Sequence, residues 1–278
     1  SLKTIQLQPV LDLFLFSQLV LVTIIITANG YIINDLLDQK SDAINKPEGS
    51  LVGQIISEKN VNWLYFSLLT FGFLVSVSLA LHFEKRNWLF LYPGANLVLF
   101  YYSYQFKKQP LLGNIIVALF CSGVAAILFV AESESLKVLQ QARPDIYYKF
   151  SSILRWYMAF AFLGTLIREI VKDIEDIEGD RADACKTAPI VWGVSAAKRL
   201  ALALSGLLLI LLFYQLKVFS NHFNNSVFYY SICSILLPFL LNSYLLIRAK
   251  STEQFHVVSQ VLKFILLAGI LLIFFVKI

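Results

Sequence analysis

Long apolar runs separated by short polar connections make up most of the chain. A helix needs roughly 20 apolar residues to cross the hydrocarbon core of a bilayer, and eight runs approach or exceed this length. They cover residues 13–34, 60–83, 87–106, 109–131, 147–167, 200–216, 218–247 and 257–276. Strands are a poor alternative, because the runs do not alternate polar and apolar positions. The pattern predicts an all-α, polytopic membrane helix bundle with about eight transmembrane helices in a single domain over residues 1–278.

The composition supports this fold class and excludes several functions. The chain is 58% hydrophobic and 15% charged, with a mean hydropathy of +0.70, as expected for an integral membrane protein. The net charge of +5 comes from the polar connections, and no basic run is interleaved with aromatic residues, so we expect no nucleic-acid partner. The three cysteines are scattered and odd in number, which fits neither a disulfide framework nor a metal site.

Two acid-rich stretches, NDLLDQKSD at residues 34–42 and DIEDIEGD at residues 173–180, lie beside apolar runs. In each stretch, side chains with polar oxygens recur every three or four residues and therefore share one face of a helix. They are Asn34, Asp38 and Asp42 in the first stretch, and Asp173, Asp176 and Asp180 in the second. Stacked carboxylates repel one another unless cations bridge them. A single such stretch would be an ordinary polar connection, but the repeat favours a Mg²⁺ site, since Mg²⁺ prefers a few carboxylates combined with substrate phosphates.

Basic residues accompany both acid-rich stretches. They are Lys46, Lys107, Lys108, Arg168 and Lys172. Carboxylates alone would suggest a metal store, whereas carboxylates with cations around them suggest a metal-bound polyanion, most simply a diphosphate. We therefore predict that these five residues bind a substrate diphosphate. Lys46, Lys108 and Lys172 would stabilise its developing negative charge during catalysis, with Lys107 and Arg168 as second choices.

Counting membrane crossings places these groups on one side of the bilayer. Four predicted crossings separate the first acid-rich stretch from the second. Two predicted crossings separate the first stretch from Lys107 and Lys108. An even number of crossings returns the chain to the same side. Lysines and arginines are in excess on this side, so the positive-inside rule predicts that it faces the cytoplasm. We expect the protein in the cell inner membrane.

These residues resemble the signatures of the UbiA-type intramembrane prenyltransferases over essentially the whole chain. The matching elements are the first stretch with Asn45-Lys46-Pro47, the second stretch, Tyr104-x-x-x-Lys108, and the pair Gly113–Asn114. The resemblance implies a bundle, normally of nine helices, around a central cavity. It also implies two Mg²⁺ ions held by the six residues of the acid-rich stretches. The reaction would transfer a prenyl group from a prenyl diphosphate donor to a lipid or aromatic acceptor.

Two further residues are candidates for catalysis. Asp35 points about 100° away from Asn34 on a helix. It could orient a lysine or deprotonate the acceptor. Tyr104 could hydrogen-bond a phosphate or anchor the chain at the membrane interface.

The segment REIVKDIEDIEGD at residues 168–180 bears on the acceptor. It is similar to family members that transfer a geranylgeranyl group to the hydroxyl of a prenylated glycerol phosphate. Aromatic quinone precursors such as 4-hydroxybenzoate or dihydroxynaphthoate are the alternative acceptors. A transporter of divalent cations or phosphorylated solutes is the alternative of another class, although the carboxylates cluster at one interface rather than mid-span. A soluble prenyl diphosphate synthase would lack the eight apolar runs.

Overall fold

The computed structural model describes residues 10–39, 52–53, 55–222 and 225–276, and the regular elements among these residues are all helices, with no strand. The α-helices are α1 (Leu13–Leu37), α2 (Glu58–His82), α3 (Leu91–Tyr104), α4 (Leu112–Ala131), α5 (Ser133–Ala142), α6 (Pro144–Glu175), α7 (Ile177–Ala182), α8 (Ala188–Trp192), α9 (Val194–His222), α10 (Asn225–Tyr230), α11 (Leu237–Arg248) and α12 (Thr252–Leu271). Short 3₁₀ segments cover Arg86–Phe90, Phe106–Lys108 and Leu272–Phe275, and a π-helical segment covers Ser231–Leu236. The all-α prediction is confirmed.

Seven helical segments in the described part of the chain are long and apolar enough to cross a membrane. They are Leu13–Leu37, Glu58–His82, Leu112–Ala131, Pro144–Glu175, Val194–Val218, Asn225–Arg248 and Thr252–Phe275. These segments correspond to seven of the eight predicted runs. The polytopic helix bundle is therefore confirmed, and the helix count differs by one.

The remaining predicted run, residues 87–106, forms a shorter helix. A 3₁₀ turn over Arg86–Phe90 leads into α3, which has 14 residues and rises about 21 Å, less than the roughly 30 Å of the hydrocarbon core. Pro93 explains the late start of α3. Proline is tolerated in the first turn of a helix, whereas a helix beginning at residue 87 would carry it in the interior.

The boundary predicted between residues 216 and 218 does not occur. Helix α9 continues through Lys217 to His222, and the next span begins at Asn225. Lysine is a good helix former, so one lysine interrupts an apolar run without ending the helix.

The helices form two compact units. The first unit comprises Leu11–Gly113 with Glu178–Thr187, and the second comprises Asn114–Ile177 with Ala188–Ile278. The first unit therefore contains α1 to α3 and most of α7, while the second contains most of α4, then α5, α6 and α8 to α12. The single domain expected from the sequence stays a prediction.

A buried polar cluster joins the helices of the first unit. The Asn29 amide of α1 donates to Asn96 Oδ1 (2.9 Å) and to the Tyr92 hydroxyl (3.3 Å) of α3. That hydroxyl donates in turn to the Leu68 carbonyl of α2 (3.2 Å). Gly72 permits this approach, since a Cβ there would lie 2.3 Å from the Tyr92 hydroxyl. The interlocked polar groups fix how α1, α2 and α3 pack.

In the second unit α6 packs against α12. A Cβ at Gly269 of α12 would lie 2.2 Å from the ring of Phe160, and a Cβ at Gly164 of α6 would lie 2.7 Å from Leu266. Small residues at membrane helix interfaces allow backbones to approach this closely. The middle of α6, the helix that ends at the second acid-rich stretch, thus packs closely on α12.

Candidate active site

The first acid-rich stretch begins at the C-terminal end of α1. The helix ends at Leu37, and Asp38 caps it, with its backbone N–H donating to the Asn34 carbonyl (2.9 Å). The C-terminal end of a helix carries partial negative charge, so a carboxylate there is unfavourable unless a cation compensates it. Asn34 and Asp38 therefore form a pair of oxygen donors that attracts cations.

Lys107 supplies a positive charge to this pair. Its Nζ lies 3.3 Å from Asn34 Oδ1 and forms an ion pair with Asp38 Oδ1. The side chains of Lys107 and Asp38 are only 13% and 15% exposed. The contact confirms the prediction that the loop with Lys107 lies at the same end of the bundle as the first stretch.

The backbone of this loop is fixed by close contacts. A Cβ at Gly113 would lie 2.7 Å from the Lys107 Cα, so only glycine allows the start of α4 to pass this loop. Leu111 adopts a φ of 61°, in the left-handed region that is uncommon for leucine. The Lys108 carbonyl accepts a hydrogen bond from the Lys186 backbone N–H (2.8 Å). These contacts hold both lysines of the loop in place.

Lys108 pairs with a carboxylate that the sequence did not single out. Its Nζ lies 2.8 Å from Asp183 Oδ2. The hydrogen bond with Asp183 raises the pKa of Lys108, and the negative charge of that carboxylate adds to the effect, although burial opposes it. The dipeptide Asp183-Ala184 repeats Asp42-Ala43 at the end of the first stretch. This repeat is the feature of the sequence that could have indicated Asp183.

Asp180 lies in α7 of the first unit, close to Cys185. Asp180 accepts a hydrogen bond from the Thr187 hydroxyl (3.2 Å), and its carbonyl accepts one from the Cys185 N–H (2.8 Å). Burial, reinforced by the negative charges of Asp180 and Asp183, raises the pKa of Cys185 to about 12. At neutral pH the thiol is therefore protonated and a poor nucleophile.

The second acid-rich stretch is interrupted at Asp176. Helix α6 ends at Glu175, Asp176 caps it with its N–H donating to the Lys172 carbonyl (2.8 Å), and α7 begins at Ile177. The Lys172 ammonium forms an ion pair with Asp176 Oδ2. The expectation of one continuous helical face through Asp180 is corrected here, because repulsion between stacked carboxylates favours a break over a longer helix.

Two contacts fix the end of α6 in the second unit. Asn114 of α4, which is 6% exposed, donates to Asp173 Oδ2 (2.9 Å). Glu175 accepts a hydrogen bond from the Ser259 hydroxyl of α12 (2.8 Å) and lies 2.7 Å from His256 Nδ1. Asn114 and Glu175 thus position the second stretch. Of these two residues, the sequence had indicated only Asn114, as part of the Gly113–Asn114 pair that resembles the family.

The other predicted site residues lie apart from the contacts described so far or outside the described residues. Arg168 forms an ion pair with its neighbour Glu169. Asp35 is half-buried near the end of α1, and Tyr104 is 59% exposed at the end of α3, stacked on Phe100. Asp42 and Lys46 lie outside the described residues. Catalytic roles for all of them stay predictions.

The residues present fit a bound Mg²⁺. Asn34 Oδ1 and Asp38 Oδ1 both contact one ammonium nitrogen, so these hard oxygen donors already converge on a single cation. Among the described residues no three His, Cys, Asp or Glu side chains are grouped to hold a metal by themselves. A site of this kind suits Mg²⁺, which takes part of its coordination from substrate phosphates and water.

Comparison with known proteins identifies the family. Residues 4–274 match the UbiA prenyltransferase family, so the chain belongs to it. A digeranylgeranylglyceryl phosphate synthase of Methanosphaera stadtmanae is 33% identical over 242 residues, which cover 86% of this chain and 79% of that protein. A solved structure of digeranylgeranylglyceryl phosphate synthase aligns over 94% of this chain and 86% of its own, at 26% identity and a TM-score of 0.63.

A UbiA homologue from Archaeoglobus fulgidus, solved with DMAPP and Mg²⁺, has the same fold. It aligns over 94% of this chain and 88% of its own, at 20% identity and a TM-score of 0.54. These matches confirm the predicted family. The chain is a prenyltransferase and an integral membrane protein.

Proposed function

We propose that the protein transfers a geranylgeranyl group from geranylgeranyl diphosphate to the hydroxyl of a prenylglycerol phosphate, in a Mg²⁺-dependent reaction. Support for this acceptor comes from the relative named digeranylgeranylglyceryl phosphate synthase, which shares 33% identity over 86% of this chain. The structural observation that carries the proposal is the lysine-bound aspartate at the end of each acid-rich helix, Asp38 with Lys107 and Asp176 with Lys172.

The metal ligands would come from both acid-rich stretches. They are Asn34, Asp38, Asp42, Asp173, Asp176 and Asp180. Bound Mg²⁺ supplies Lewis-acid neutralisation of the diphosphate and so makes it a better leaving group. The UbiA homologue solved with DMAPP and Mg²⁺ supports this metal for the family. We propose two ions, because each stretch supplies its own oxygen donors.

The lysines would bind the diphosphate oxygens. Lys107, Lys108 and Lys172 each contact a carboxylate that neutralises part of their charge. Ammonium groups already held in place stabilise developing negative charge without reorganising during the reaction. Lys46 is proposed for the same role from the sequence. Tyr104 would add a phosphate hydrogen bond from the end of α3.

The chemistry requires one bond to break and one to form. The allylic C1–O bond breaks, and its electron pair leaves with the diphosphate. The acceptor's hydroxyl oxygen bonds to C1, and the hydroxyl proton passes to a carboxylate, for which Asp35 is the candidate from the sequence. Apolar helix walls around the prenyl chain would exclude water that would otherwise react at C1.

We place the acid-rich helix ends on the cytoplasmic side of the cell inner membrane. The excess of lysine and arginine in the connections on that side supports this orientation. Tagging the connection between α3 and α4 for labelling in intact and in opened cells would test it. Labelling of intact cells from outside would contradict the orientation.

The function is tested by supplying radiolabelled geranylgeranyl diphosphate to the purified protein with and without Mg²⁺. The acceptors are geranylgeranylglyceryl phosphate, 4-hydroxybenzoate and dihydroxynaphthoate, and the lipid product is identified by mass spectrometry. We expect a product only with the glycerol phosphate and only with Mg²⁺. Transfer to an aromatic acceptor alone would contradict the proposed acceptor. Full transfer in the presence of EDTA would contradict the proposed dependence on Mg²⁺.

A further inference from the structure

Arg168 and Glu169 form an ion pair inside the membrane-spanning helix α6. Their side chains are 18% and 15% exposed. Charged residues within membrane spans are costly and usually serve a function. Arg168 lies five residues before Asp173, which is about 7.5 Å along the helix axis. The ion pair therefore lies farther inside the membrane-spanning helix than the carboxylates at the end of α6.

The guanidinium of Arg168 has an unused donor. Glu169 contacts Nη1, whereas Nε is buried and has no hydrogen-bond partner among the described residues. A buried donor without a partner destabilises the protein and calls for an explanation. The Nε–H lies on the opposite side of the guanidinium from Nη1, and together with Nη2 it forms the edge that binds two phosphate oxygens at once.

We propose that Arg168 binds the phosphate of the acceptor lipid through this Nε edge, while Glu169 holds the guanidinium by Nη1. The inference rests on the proposed function for the identity of the acceptor. It changes the role predicted from the sequence, in which Arg168 joined the residues that bind the donor diphosphate. The donor diphosphate keeps Lys107, Lys108 and Lys172 as its proposed partners.

The chemistry of the acceptor matches this position. A prenylglycerol phosphate carries its phosphate and its reactive hydroxyl on one three-carbon glycerol unit. Fixing the phosphate at Arg168 therefore restricts where the hydroxyl can lie, which is the contribution of positioning to catalysis. An acceptor without a phosphate gains nothing from a guanidinium, so this contact would favour phosphorylated acceptors over neutral ones.

The test measures binding without turnover, in detergent or nanodiscs. The probes are geranylgeranylglyceryl phosphate, the neutral geranylgeranylglycerol, and geranylgeranyl thiolodiphosphate with Mg²⁺ as an unreactive donor. We expect Arg168→Gln to weaken binding of the phosphorylated acceptor about tenfold or more, because hydrogen bonds between charged groups are stronger than those between neutral ones. Binding of the neutral acceptor and of the donor analogue should stay the same.

Two variants serve as references. Arg168→Lys keeps the charge but loses the two-donor edge, so we expect a smaller loss with the phosphorylated acceptor. Arg155→Gln removes an exposed arginine from the same helix and should change none of the three affinities. Thermal unfolding of each variant checks that the protein is folded.

The outcomes separate the inference from the function. Loss of donor binding with acceptor binding retained would overturn the inference and return Arg168 to the diphosphate. Equal affinity of the wild-type protein for the phosphorylated and the neutral acceptor would also overturn it. Phosphate-dependent acceptor binding through Arg168 without any transfer in the radiolabel assay would support the inference while rejecting the proposed reaction.

Discussion

Both acid-rich helix ends carry an aspartate paired with a lysine, but the lysine comes from a different part of the chain in each case. Asp38 caps α1 with φ −97° and ψ 5°, and Asp176 caps α6 with φ −90° and ψ 9°. Each carboxylate binds a lysine ammonium. Lys107, however, lies 69 residues after Asp38 in a separate loop, whereas Lys172 lies one helical turn before Asp176. A similar charge arrangement thus depends on tertiary structure at one end and on local sequence at the other.

This difference decides which contacts each site needs. The first depends on a loop kept in place by Gly113 and by the hydrogen bond between Lys186 and Lys108. The second depends on the end of α6 being fixed by Asn114 and Glu175. Substitutions far from the chemistry should therefore affect the two sites unequally.

The largest expected effect is loss of transfer on removing either capping carboxylate. We expect Asp38→Ala and Asp176→Ala each to lower kcat/KM for prenyl transfer at least about a hundredfold, since each removes a carboxylate that is proposed to bind Mg²⁺. Product formation from radiolabelled donor measures the effect. Asp145→Ala, which alters an exposed aspartate, is the control, and full turnover by both site variants would remove these residues from the site.

The next effect distinguishes the two lysines. We expect Lys107→Met and Lys172→Met each to reduce the transfer rate about tenfold to a hundredfold. Lys107→Met should also lower the melting temperature more, because Lys107 is 13% exposed and Lys172 is 32% exposed, so Asp38 loses a more buried partner. Thermal unfolding in detergent gives the comparison. A larger loss of stability in Lys172→Met would contradict the tertiary dependence of the first site.

The loop itself is tested at Gly113. We expect Gly113→Ala to destabilise the protein by about 1–3 kcal/mol and to reduce transfer, because the added Cβ forces the Lys107 backbone to move. Gly123→Ala in the same helix is a matched control, since a Cβ there meets nothing within 4 Å. Equal melting temperatures and rates for the two variants would show that the close approach has no consequence.

The smallest effect is expected at Asn114. Asn114→Ala removes the hydrogen bond to Asp173 and should reduce the transfer rate about threefold to tenfold, in line with roughly 1 kcal/mol for one hydrogen bond. Steady-state kinetics at varied Mg²⁺ concentration measures this effect, and we expect the variant to need more Mg²⁺ for half-maximal rate. A rate equal to that of the wild-type protein would mean that Asp173 holds its position without Asn114.

Local patterns made part of this architecture predictable. The sequence indicated that Lys172 accompanies the second stretch, and counting crossings placed Lys107 on the same membrane side as the first stretch. The helix breaks at Asp38 and Asp176 were not predictable from spacing, because the polar periodicity continues past both residues. The pairing of Lys108 with Asp183 was missed for another reason: a partner 75 residues away is selected by the path of a loop, not by any local period.

The most direct test of the central proposal is whether both acid-rich stretches bind the same Mg²⁺–diphosphate. Binding of geranylgeranyl thiolodiphosphate with Mg²⁺ is measured for the wild-type protein, Asp38→Ala, Asp176→Ala and the double variant. A shared ligand predicts strong coupling, so that each single variant loses most of the affinity and the double variant loses little more. Additive losses, or unchanged binding in either single variant, would contradict a common site.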